Sequence, residues 1–168
     1  MGLFRRTPRP AAPPAAPRTP PPPVGGVAPL TDDEVRWCEL QMETARVLAQ
    51  HLAGDDGDLP SLEALDTVLF SGLDADGRIA TGQLVTAVGT AFGEHVRRST
   101  GLAWVVATDE HGTELALHAD PGHVLVHPSD AVGKRLRAGE PGVLPDLHAQ
   151  LTAGVLDARA RAGRAPVS

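Results

Sequence analysis

The sequence predicts an α+β domain over residues 30–164 behind a disordered tail over residues 1–29. Two periodicities and one composition break carry that reading. From Leu102 to His127 the apolar residues run in short β-branched stretches; on either side they recur at helical spacing. Ten of the 16 prolines fall in residues 1–29, with Arg5, Arg6, Arg9 and Arg18 and no acid. Such a segment cannot bury a core and suits a polyproline-like tether.

Three helices are expected before the sheet. Thr31-Asp32-Asp33-Glu34 is a capping box, with acids at the positive end of the helix dipole. Val35, Cys38, Met42, Ala45, Ala49 and Leu52 then form one stripe, and Gly54 ends it. Pro60-Ser61 opens a second helix with Leu62, Leu65, Val68 and Leu69 on one face. Thr81 opens a third through Arg98, with Leu84, Val88, Phe92 and Val96 apolar. Gly89 and Gly93 share a face of it at about 1 kcal/mol each against Ala, which points to a close neighbour there.

A three-stranded antiparallel meander comes next. Leu102–Thr108 is β-branched and aromatic, and Glu114–His118 returns after Asp109-Glu110-His111-Gly112-Thr113. Gly112 suits positive φ and a bulged turn that pairs Asp109 with Thr113. That register places Val105, Leu115 and Leu117 on the face the helices should cover. The opposite face then carries Trp104, Val106 and His118. After Asp120-Pro121-Gly122, His123–His127 adds a third strand, with Leu125 assigned to the Trp104 face. Pro128 stops that strand, and Ser129 or Asp130 caps a helix through Ala138 with Gly139 as its left-handed end. A last helix follows Pro145, with Leu147, Leu151, Val155 and Ala158 as its stripe.

The segment resembles a bacterial family known as domain of unknown function 3806. Trp104-Val105-Val106, Thr108–Thr113, Val124–Pro128, Lys134-Arg135 and Gly139-Glu140 carry the likeness, extended back to Val88-Gly89 and Phe92-Gly93. The resemblance implies no activity and transfers no catalytic residue.

Composition narrows the classes. Beyond the tail, 11 basic residues face 21 acidic ones, which argues against non-specific nucleic-acid binding by the domain. No apolar run approaches the ~18 residues of a membrane helix. Met1–Arg6 is not followed by a signal-peptide h-region, and position 6 is Arg where myristoylation wants Ser or Thr. A single cysteine fits the cytoplasm, and the richness in Ala, Arg, Gly and Pro fits a GC-rich bacterial genome.

Several motifs resemble sites. Asp74-Ala75-Asp76-Gly77-Arg78-Ile79 matches part of a calcium loop, but Gly72 and Gln83 stand at its first and last ligand positions, so it reads as an interhelix turn. His123 and His127 are ~13 Å apart along a strand, so His118, His123 and His127 cannot share one zinc ion and read as strand-end histidines. Cys38 sits among apolar helix neighbours as a structural thiol. Gly133-Lys134-Arg135 lacks the rest of a phosphate loop. No catalytic, metal or cofactor signature results. The expectation is a cytoplasmic binding or accessory module acting through protein contacts, using Trp104, Val106, His118 and Leu125, with self-association left open. The alternative is an enzyme or small-ligand binder with a pocket between sheet and helices.

Overall fold

The computed structural model describes residues 26–71, 81–110, 112–120 and 123–163. Among them are five helices and one four-stranded antiparallel sheet. The α+β class stands, and the sheet has one strand more than expected. That strand, β1 (Gly26–Pro29), lies inside the segment assigned to the tail, the rest of which lies outside the described residues. It pairs with β2 (Ala103–Asp109), Val27 opposite Ala107 and Pro29 opposite Val105. Its glycine and proline hid it; proline is tolerated there because β1 is an edge strand. The sheet order is β1-β2-β3-β4, with β3 at Gly112–Ala119 and β4 at Val124–Val126.

The helices start and stop where local chemistry dictates. In α1 (Asp32–Ala53) Glu34 N–H donates to Thr31 Oγ1 at 3.4 Å and Thr31 N–H to Glu34 Oε2 at 2.7 Å. Gly54 ends the helix at φ 68°. Ahead of α2 (Leu62–Ser71), Ser61 Oγ accepts the Ala64 N–H at 3.2 Å, and Asp55 accepts the Ser61 N–H at 2.9 Å. The central helix is α3 (Thr81–Thr100): Leu84, Val88, Phe92 and Val96 are fully buried. Its two glycines do what their spacing suggested. A Cβ on Gly89 would lie 2.6 Å from the Ser129 Cα, and one on Gly93 would overlap the Trp104 ring. These notches admit the first turn of α4 (Pro128–Ala138) and the indole of β2. That helix starts at Pro128, ahead of Ser129 and Asp130, and ends at Gly139 with φ 67°.

The β2–β3 register differs from expectation by one residue. Asp109 pairs with Gly112 and Thr108 with Thr113, so two residues rather than three separate the innermost pair. Asp109 Oδ1 accepts the Gly112 N–H at 3.1 Å, and the Thr108 and Thr113 hydroxyls lie 3.1 Å apart. Gly112 has the expected positive φ, at 143°. With period two, a one-residue shift turns every β3 side chain to the other face. Trp104 therefore sits opposite Leu117, and Val106 opposite Leu115. This face joins the main core with Leu117, Val126 and the α3 stripe. Val105 does not belong to it: with Ala107 and Ala116 it forms a small buried cluster on the other face.

The last helix, α5 (Leu144–Ala162), is fixed from a distance. Asp66 of α2 is only 7% exposed. Its carboxylate accepts the N–H groups of Gly142, Val143 (3.1 Å) and Leu144 (3.2 Å). A side chain 78 residues upstream thus caps the helix start. At the far end, Arg159 Nη1 donates to Thr100 O at 2.7 Å, closing the C-terminus of α3.

Candidate functional site

A largely apolar open concavity lies between the β2–β3 hairpin and helices α1, α3 and α4. It encloses about 550 Å³. Val106 and Leu115, paired across the strands, form its floor. Thr86 of α3 and Ser129 of α4 form its inner wall, and Ser129 reaches that place because Gly89 leaves room. Trp37 of α1 forms the outer wall. Asp33, Glu34 and Glu114 edge the groove, and none of its lining residues is basic.

Trp37 continues into an apolar stripe along α1. Trp37, Leu40 and Val47 are 41%, 61% and 49% exposed. Their i, i+3, i+10 spacing puts them on one side of the helix, largely opposite the stripe that packs inward through Met42, Ala45 and Ala49. Trp37, Leu40 and Val47 lie outside the stronger stripe that runs from Val35 to Leu52 and are masked by it. The signal was there: three large apolar residues outside that stripe, recurring at helical spacing.

The four residues expected to form one surface occupy two faces. Trp104 and Val106 point to the helix side, whereas His118 pairs with Ala103 and Leu125 with His118 on the other. The register shift is the physical reason. Val106 lies in the groove just described. Trp104 is half-buried and lines a neighbouring concavity of about 420 Å³ between α1 and α3. Its indole hydrogen-bonds to Glu94, which also takes 2.7 Å and 2.9 Å bonds from Arg97 and Arg98. Arg97 foremost, then Arg98 and Trp104, hold that carboxyl at about 2 against the opposing effect of burial. Glu94 is thus an ionised, fully engaged anchor for Trp104, with no proton to give near neutrality.

The other flagged residues fall into ordinary roles. Cys38 lines the Trp104 concavity, and burial followed by Glu34 raises its thiol pKa, the opposite of nucleophile activation. Lys134 pairs with Asp130 at 2.8 Å and Arg135 with Glu140 at 3.3 Å, as surface helix charges. Most of the Asp74–Gln83 loop lies outside the described residues. His127 does not join the other strand-end histidines: its Nδ1 lies 2.7 Å from Glu114 Oε1. No described helix is long and apolar enough to cross a membrane.

Residues 75–146 match the family model described as Domain of unknown function (DUF3806). No curated protein and no solved structure matches the chain. The matched segment spans α3, the β2–β3–β4 meander and α4, and ends in the first turn of α5. It contributes Val106, Leu115, Thr86 and Ser129 to the groove, whereas Trp37, Leu40 and Val47 come from α1, ahead of it.

Proposed function

We propose that this chain, which carries a domain of unknown function 3806 over residues 75–146, is a binding module that docks a partner protein in the groove between α1 and the β2–β3 hairpin. The observation that carries this reading is the exposed Trp37 beside the Val106/Leu115 floor, with Leu40 and Val47 exposed further along the same side of α1. Exposed apolar side chains of this size, edged by polar groups, favour association by removing that surface from water. A large aromatic at the edge of a cleft is a typical anchor. The carboxylates around the groove select a partner segment that is apolar with basic residues at its flanks.

The alternative of a catalytic pocket between sheet and helices has less support. The concavities are open to solvent, and Glu94, the carboxylate beside Trp104, is spent on Arg97, Arg98 and Trp104. A reaction centre needs convergent polar groups with free capacity.

Capture experiments with the folded chain as bait test the reading. Trp37→Ala should weaken retention of the partner by about 2 kcal/mol or more, as truncation of an aromatic anchor does. Its effect on stability should stay near 0.5 kcal/mol, since the side chain is substantially exposed. Leu156→Ser, on a different helix, serves as the control and should leave capture intact. Equal retention by all three chains would refute the assignment.

A further inference from the structure

We propose that His118, Asp120 and His123 form a binding site for a divalent first-row transition ion, zinc foremost, at the β3–β4 turn. One ligand atom from each of the three residues lies within 4.8 Å of the other two. His123 Nδ1 is already 3.2 Å from Asp120 Oδ1. Bonds of ~2.0–2.2 Å at tetrahedral angles hold ligand atoms roughly 3.3 Å apart, so that pair is at coordination spacing. His118, within 4.8 Å of both, would complete the set by a side-chain rotation.

The backbone supports the same arrangement. His123 is the one non-glycine described residue at positive φ, at 47°. A residue with a Cβ is uncommon there and held at some cost. Here that conformation turns the chain back at the start of β4 and brings the imidazole onto Asp120. His118 comes from the last turn of pairing in β3, where it faces Leu125. The ion would therefore tie the end of β3 to the start of β4 on the outer side of the turn.

The donor set selects the metal class. Two imidazole nitrogens and one carboxylate suit zinc, nickel, cobalt or copper(II), whereas calcium and magnesium prefer all-oxygen ligation. Three protein ligands leave at least one position for water. Asp120 and His123 are exposed and His118 is partly so, so the site is accessible without unfolding. His127, which the sequence groups with these histidines, is outside the cluster, its Nδ1 lying beside Glu114 Oε1 instead. The site is separate from the groove: His118 is on the sheet face opposite Trp104 and Val106, so the two proposals stand or fall independently.

The test is titration of the untagged full-length chain with zinc chloride by calorimetry, with cobalt(II) absorption and thermal melting as second readouts. The expected result is one ion per chain and a melting temperature that rises with zinc. His118→Gln and His123→Asn should each weaken binding at least roughly tenfold and remove the thermal shift. Asn tolerates the left-handed conformation, so His123→Asn separates loss of the ligand from loss of the turn. His127→Gln should bind zinc as the wild type does. Absence of binding at millimolar zinc, or affinity unchanged in both His118→Gln and His123→Asn, overturns the proposal.

Discussion

Asp66 shows how much one buried side chain decides. Its carboxylate satisfies three amide groups at the start of α5 that have no acceptor within their own helix. Asp66→Ala leaves those donors unpaired, the Leu144 N–H among them buried, and should lower stability by about 2 kcal/mol in urea denaturation. Asp66→Asn keeps one acceptor oxygen and should cost about half of that. Two titrating groups on α3 give a signature against pH. Burial, partly opposed by the Pro60 carbonyl 2.8 Å away, holds His95 below its ordinary 6.5. The unfolded chain therefore takes up that proton first, and the His95 contribution is present above about 6.5 and falls away below it. Glu94 is held at about 2 against an ordinary 4.5, so its contribution is present above 4.5 and is lost as pH falls through 2. Denaturation series over pH should show both steps. His95→Gln should remove the first and Glu94→Gln the second; a profile unchanged by either substitution would show that these environments are wrong.

At the level of elements, local signals were legible and distant ones were not. The capping box of α1, the glycine ends of α1 and α4 and the small-residue face of α3 each follow from side chains a few residues apart. The hairpin was found but misregistered. Gly112 suggested a bulge after a three-residue loop, whereas the Asp109 carboxylate and the Thr108–Thr113 pair close a two-residue loop. That single step moved Leu115 relative to Val105 and split the expected Trp104/His118 surface. Strand β1 was invisible because a four-residue edge strand needs only a partner, and glycine and proline mask its propensity. The Asp66 cap reaches across 76 to 78 residues and leaves no local trace. Deletion tests the β1 assignment. Removing residues 1–29 should lower the melting temperature by several degrees more than removing residues 1–25, because only the longer deletion exposes the β2 edge. Equal melting temperatures would mean that β1 adds nothing to the sheet.

The whole molecule is a helical core on one face of a small sheet, with an apolar strip left uncovered where α1 meets the projecting hairpin. The floor and inner wall of the groove fall within the family-matched segment, and its aromatic wall comes from the preceding helix. Charge agrees with the proposed partner class, since residues 30–168 hold 21 acidic against 11 basic residues. Site-specific photocrosslinking tests the docking face most directly. A photoreactive residue placed at Leu40, 61% exposed in the middle of the stripe, is compared with one at Leu156, 49% exposed on α5. Docking on the α1 stripe predicts a discrete adduct from position 40 to an apolar, basic-flanked segment of one protein, suppressed by Trp37→Ala, and none from position 156. Adducts of the same proteins in equal yield from both positions, or yields indifferent to Trp37→Ala, would contradict it.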